Sequence, residues 1–399
     1  MHVLRLCSTY EAPPEALRRS SGFDVIGGMQ VHTARLTEEL DAGGVEQTVI
    51  TAYRPGAPRV QRIGARSRVL RVGVPIRRAR QLYGVAAVRT VATTHGIDLV
   101  HVHLGEDLAI APLARWATSR FRAPLIATVH CSLEHTFIAS DLRSSMLRAV
   151  GGPVHDRLLR AARTILVLSE RLAQALIASG VPRSRIRVIP LGIELTSTPT
   201  ARPASMGERR WVVYAGRIVR EKGVRELVSA FGMLRAEGAG LLVLGDGPER
   251  ASLEAVARGS DNADRVRFVD PVPHPDVRAY LEHADVVVVP SWFEERGRVV
   301  LEAMSAGTPV VASRTGGMTA SVRHEANGLL VPPRDPRALA SAIDRLLGDR
   351  GLAASLAEAG RESVAGHGTR RLADATLAAY GAVLERRATE RPLRLPDAS

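Results

Sequence analysis

The chain has 399 residues, 45% hydrophobic and 24% charged, which suits two soluble globular domains better than one core. No apolar run approaches the ~18 residues of a membrane span, and the opening MHVLRLCSTY lacks a long apolar core, so neither a spanning helix nor a secretory leader is expected. The formal charge of +13 is scattered rather than clustered, and aromatics are only 4%, so a solvated basic surface comes first, peripheral membrane contact second and nucleic acid a distant third.

Short β-branched runs alternate with helical patterns from end to end. In the first half the expected strands are 3–6, 45–51, 99–103, 125–129, 164–168 and 187–190; in the second, 211–214, 241–244, 266–269, 286–290, 309–312 and 329–331. Apolar strands with intervening helices predict parallel sheets covered on both faces, and the βαβα order occurs twice. Two doubly wound domains follow, 1–195 and 211–370, separated by the polar linker 196–210 (TSTPTARPASMGERR). A helix at 371–387 is expected to pack back on the first domain, with a tail at 388–399. In such sheets ligands sit outside the carboxyl ends of the strands, so a site in the cleft between the domains is expected. The two cysteines, Cys7 and Cys131, make no disulfide framework and read as inert thiols of a cytoplasmic protein.

Two stretches carry chemistry in the second half. GRIVREKGV (216–224) follows an expected strand, opens a helix and holds the only lysine, Lys222, among 54 Lys plus Arg. Arg217 and Lys222 at a helix N-terminus suit a pyrophosphate, where a compact ammonium can enter a space that a planar guanidinium cannot. The stretch PSWFEERGRVVLEAMSAGTP (290–309) begins where another strand ends. Glu302 lies in an apolar helix and so must have a partner, for which ribose hydroxyls would serve. Glu294 lies in the loop before it.

Glu294 and Glu302 match the E-x7-E motif, and together with GRIVREKGV, Gly245-Asp246-Gly247-Pro248, LEAMSAGTPVVAS, Gly316-Gly317 and NGLLVP they resemble retaining glycosyltransferase family 4. The resemblance implies an α/β GT-B fold, two Rossmann-like domains facing a cleft. It implies that Arg217 and Lys222 hold the donor diphosphate, that Glu294 faces the donor sugar and that Glu302 faces the ribose. Gly28, Gly297, Arg298 and Val299 would complete the donor site, and His130, which ends the strand LIATVH, would contact the transferred sugar. Arg296 stands where the family usually has Phe, and Ala320 where it often has Glu.

His101 and His103 project from one side of a strand and could ligate metal, but the sequence offers no third ligand and no Asp-x-Asp. No metal and no cofactor beyond the donor are therefore expected. The segments FDVIGGMQVHTARLTEEL and LVHVHLGEDLAIAPL resemble a narrower group, actinomycete enzymes that glycosylate 2-deoxystreptamine. That acceptor is a dication, and Asp24, Glu106, Asp107 and Glu134, with Gln30 and His103, are the candidate acceptor contacts. The expected activity is transfer of N-acetylglucosamine or glucose from a UDP-sugar to 2-deoxystreptamine in antibiotic assembly. An inositol phosphate or lipid-linked acceptor is the alternative; a nucleotide-sugar epimerase or a basic RNA- or membrane-binding protein stands behind it.

Overall fold

A computed structural model describes residues 1–11, 28–74, 82–105, 107–130, 142–189, 191–195, 198–295 and 297–390. The chain divides into two compact units, one holding residues 32–189 and 370–390 with the first strand, the other holding 191–369.

The first unit is built on an eight-stranded sheet of β1 (His2–Cys7), β2 (Glu46–Ala52), β3 (Val60–Ile63), β4 (Ser67–Val72), β5 (Leu99–Leu104), β6 (Leu125–Val129), β7 (Thr164–Val167) and β8 (Ile186–Val188). Its order is β3-β4-β2-β1-β5-β6-β7-β8. Every pairing is parallel except β3 with β4. Strands β1, β5 and β6 are buried along their whole length, as strands of a parallel sheet covered on both faces are, and β1 and β5 carry Arg5, His101 and His103 into that interior. The core joins Leu4, Leu6, Val100, Val102 and Ala127 to apolar faces of helices Tyr83–Ala92, Ile110–Phe121 and Glu170–Ala178. Helix Thr369–Glu390 adds Leu372, Tyr380 and Val383 to the buried set, and Arg387 donates to the carbonyls of Asp98 and Arg122. The antiparallel edge β3–β4 was not expected. Its pattern VQRI…SRVLRV alternates arginine with apolar residues, so it forms a partly exposed margin with no continuous apolar signal.

The second unit is a six-stranded, all-parallel sheet of β9 (Trp211–Ala215), β10 (Gly240–Leu244), β11 (Val266–Val269), β12 (Val286–Val289), β13 (Val310–Ser313) and β14 (Leu329–Val331), in the order β11-β10-β9-β12-β13-β14. In each unit the strand order reverses at one place, between β1 and β5 in the first and between β9 and β12 in the second. At such a reversal the connections leave in opposite directions and open a crevice at the carboxyl ends.

The described part of the expected linker is irregular but anchored on the second unit. Thr200 donates through its amide and its hydroxyl to Glu282, Ser205 Oγ lies 2.9 Å from Tyr280 Oη, and Met206 is buried. Polar composition gave no sign of these contacts, because each joins the segment to a helix some 80 residues away. Among the described residues no helix is long and apolar enough to cross a membrane. Burial pushes the Cys7 thiol up to about 11, which makes it a poor nucleophile; Cys131 lies outside the described residues.

Candidate functional site

The loops after β9, β12 and β13 interlock at the strand reversal of the second unit. After β9, the buried Tyr214 hydroxyl donates to the Arg217 carbonyl at 2.7 Å, while the Arg217 side chain stays exposed. A single 3-10 turn, Arg220–Lys222, ends at Gly223, whose φ of 67° lies in the left-handed region. A Cβ there would sit 2.1 Å from the Pro290 carbonyl oxygen, so only glycine lets this loop press against the end of β12. The contact is locked by the Trp292 amide, which donates to the Glu221 carbonyl at 2.8 Å.

This fit brings the Lys222 ammonium onto Glu294, to which it donates a short, charge-assisted hydrogen bond. Both side chains are about one-fifth exposed, at 19% and 22%, so the pair is shielded yet reachable. Glu294 is fixed from the other side by the Gly316-Gly317 turn. The Gly317 amide donates to the Glu294 carbonyl at 2.7 Å, and Thr315 Oγ1 donates to the Trp292 carbonyl at 3.1 Å. The sequence placed Lys222 and Glu294 in separate motifs; their ion pair is a product of the fold.

Glu302, expected to face the ribose, has partners of its own within the chain. It lies on helix Arg298–Ser305. Arg298 Nε donates to its Oε1 at 2.7 Å, and His274 Nε2 lies 2.9 Å from the same atom. Burial alone would push this carboxyl up, but the Arg298 guanidinium and the His274 hydrogen bond outweigh it and hold the group below the usual carboxylate range. Arg298, expected as a donor contact, is itself buried and donates through Nη1 to the Gly192 carbonyl at 2.9 Å. Gly297, at φ 58°, caps the same helix, and Val299 is half-buried on its first turn.

In the first unit four histidines gather at the carboxyl ends of β5 and β6. His101 is saturated, with Tyr380 Oη at 2.6 Å from Nδ1 and Thr128 Oγ1 at 2.7 Å from Nε2. His103 receives a hydrogen bond from Arg5 Nη2 at Nε2, 2.9 Å, and its Nδ1 lies 3.0 Å from His130 Nε2. The fourth member of the group is His32 on helix Gly28–Ala42, whose ring stands edge-on to His130 with centroids 4.8 Å apart. The donor nitrogens of His32, His103 and His130 all lie within 4.8 Å of one another. Burial, reinforced by neighbouring positive groups, holds His101 and His103 far below the usual histidine range, so both are neutral.

Three of the six expected acceptor contacts, His103, Asp107 and Gln30, lie among the described residues. His103 is fully buried and lies within hydrogen-bond distance of Arg5 and His130. Asp107 is buried too, its Oδ1 accepting from the Ala109 amide ahead of helix Ile110–Phe121. Gln30 is buried near the start of helix Gly28–Ala42, of which Gly28 is the first residue. Asp24, Glu106, Glu134 and Arg296 lie outside the described residues. Arg5 and His274 were missed because a charge within a strand and a histidine at a helix start carry no motif.

Two family descriptions match the chain: Glycosyltransferase Family 4 over residues 26–197 and Glycosyl transferases group 1 over residues 200–363. The chain is 35% identical over 373 residues to a 2-deoxystreptamine N-acetyl-D-glucosaminyltransferase of Streptomyces fradiae, covering 86% of each protein. It is 31% identical over 396 residues to a D-inositol 3-phosphate glycosyltransferase of Xylanimonas cellulosilytica, covering 90% of this chain and 93% of that one. Among solved structures, sucrose-phosphate synthase of Thermosynechococcus elongatus superposes with a TM-score of 0.80 at 26% identity, over 96% of this chain and 99% of that one. With two doubly wound sheets, an ion pair at a strand reversal and these likenesses, the chain belongs to the family 4 glycosyltransferases of GT-B fold.

Proposed function

We propose that the protein is a retaining glycosyltransferase that moves N-acetylglucosamine or glucose from a UDP-sugar to 2-deoxystreptamine. The observation that carries the reaction is the Lys222–Glu294 pair, held by three interlocked loops at the strand reversal of the second unit. When the bond from the sugar C1 to the diphosphate oxygen breaks, negative charge collects on the departing phosphate. Lys222, with the exposed Arg217 of the same loop, supplies the compensating cations, and the scheme needs no metal. Glu294 both anchors Lys222 and offers a carboxylate to a sugar hydroxyl. The acceptor oxygen forms its new bond to C1 on the face the diphosphate leaves, and its proton passes to the departing phosphate oxygen.

The choice of acceptor rests on the likeness to the Streptomyces fradiae enzyme over most of the chain. The second reading, a cyclitol phosphate, draws on the Xylanimonas likeness. Purified protein mixed with UDP-N-acetylglucosamine or UDP-glucose and 2-deoxystreptamine, with EDTA present, is expected to yield a glycosylated aminocyclitol by mass spectrometry. Product only with D-inositol 3-phosphate would transfer the assignment to the second reading. Product only after adding back a divalent cation would overturn metal independence.

A further inference from the structure

We propose that Arg5 and His103 are positioning residues that hold His130 as its neutral Nδ1–H tautomer. The inference rests on the reading above in one respect, that His130 contacts the transferred sugar.

The relay begins at Arg5, a fully buried arginine in the middle of β1. Its guanidinium is fixed by neutral acceptors. Nη1 donates to Thr37 Oγ1 at 2.7 Å and to Gln47 Oε1 at 3.0 Å, and Nη2 points to His103 Nε2 at 2.9 Å. Gln47 is anchored in turn, its amide donating to the Thr37 carbonyl and to Ser67 Oγ. A guanidinium has donors only, so His103 Nε2 must present its lone pair. His103 is neutral, and its single ring proton therefore sits on Nδ1. That nitrogen lies 3.0 Å from His130 Nε2, which must accept. The proton of a neutral His130 is then on Nδ1, the reverse of the tautomer that free histidine favours. Protonating His130 at Nε2 would set two N–H groups head to head.

The rings cannot readily swivel out of this arrangement. His101 lies against His103 with centroids 4.3 Å apart and is held by Tyr380 and Thr128, while His32 meets His130 edge-on. The relay also carries the Arg5 charge outward, polarising His103 and strengthening His130 Nδ1–H as a donor to a hydroxyl oxygen. A metal ion on the same histidines is disfavoured on two counts. It would have to displace the His103 Nδ1 proton, and it would stand beside the Arg5 guanidinium.

The test uses the full-length protein labelled with 15N-histidine, read by long-range 1H–15N correlation, with His130 assigned by the signal lost in His130→Asn. At pH 7.5 the wild type is expected to show a protonated Nδ1 and an unprotonated Nε2 at His130. His103→Phe removes both hydrogen bonds while filling the space. It should shift His130 toward Nε2–H and lower kcat for sugar transfer roughly tenfold or more, as loss of the correct tautomer does elsewhere, with KM for the donor nearly unchanged. His103→Gln, whose amide oxygen can accept from Arg5 and whose NH2 can donate to His130, should restore both the tautomer and most of the rate. Melting temperatures of the two variants separate positioning from misfolding.

An Nε2–H or doubly protonated His130 in the wild type would overturn the proposal. So would a His103→Phe variant with wild-type tautomer and kcat, or tight Zn2+ binding abolished by His32→Ala. If the wild type transfers sugar to no acceptor, the functional reading fails, yet the spectrum still decides the tautomer.

Discussion

Lys222 occupies a place that arginine could not fill in the same way. Its ammonium, at the end of the 3-10 turn, pairs with Glu294 of the loop after β12, and Arg217 of the same loop as Lys222 is exposed. Lys222→Ala is expected to lower kcat at least about a hundredfold, the scale of removing one preorganised charge from a transition state. Lys222→Arg should recover little of that loss, and steady-state kinetics with a saturating acceptor would check both. Glu302 makes a different kind of prediction. Its carboxyl titrates lower in the folded chain than in the unfolded one, because Arg298 and His274 favour its charged form. The stability it contributes is therefore present above the ordinary carboxylate range and lost as pH falls through the folded value. Glu302→Gln should flatten the acid limb of the stability curve, and Arg298→Ala, which leaves the buried carboxylate with one partner fewer, should cost about 3 kcal/mol in urea unfolding at pH 7.

At the scale of elements, the candidate donor site depends on loops that can approach backbone to backbone. Gly316 has a φ of 50°, and a Cβ there would lie 2.1 Å from the Glu294 carbonyl oxygen. Gly316→Ala should therefore push the Glu294 loop outward, destabilise the fold by about 2 kcal/mol or more and reduce kcat through a displaced Glu294. A variant with wild-type melting temperature and rate would show that the loop has slack that the close contact denies. The twelve expected strands were legible because each is a short run rich in β-branched and apolar residues between helical patterns, while β3 and β4, partly exposed and interrupted by arginines, were not. The Gly316-Gly317 turn was legible as a motif but not as a clamp on Glu294, because a helix and strand β13 lie between the two in the chain.

Across the whole molecule, the histidines make the first unit the acid-sensitive one. His2, His101, His103 and His155 all lie there, and in each case burial is the main force lowering the pKa. In the unfolded chain these groups take up protons below about pH 6.5, whereas in the folded chain they stay neutral to lower pH. Stability should thus be steady above that value and decline as pH drops below it, by about 1.4 kcal/mol per pH unit for each histidine that remains neutral. Chemical unfolding at pH 7.5 and at pH 5.5, followed by a probe in the first unit, would test this; equal midpoints would contradict the buried-neutral assignment. Tyr380 ties the last helix into the same network, and Tyr380→Phe should cost about 1–3 kcal/mol by stripping His101 Nδ1 of its partner.

The sequence by itself determined the two-sheet architecture, because strand runs and helical periodicity are local and repeat in order along the chain. It also determined the family, through Arg217, Lys222, Glu294, Glu302 and His130 in motifs that are short and contiguous in the chain. Tertiary structure decided what those residues touch. Lys222 finds Glu294, Glu302 finds Arg298 and His274, and His130 finds a histidine whose proton is set by an arginine two strands away. A buried charge or ring nitrogen must be paired wherever the packing brings a partner. Which partner arrives depends on strand order, and strand order is a property of the sheet rather than of any stretch of sequence.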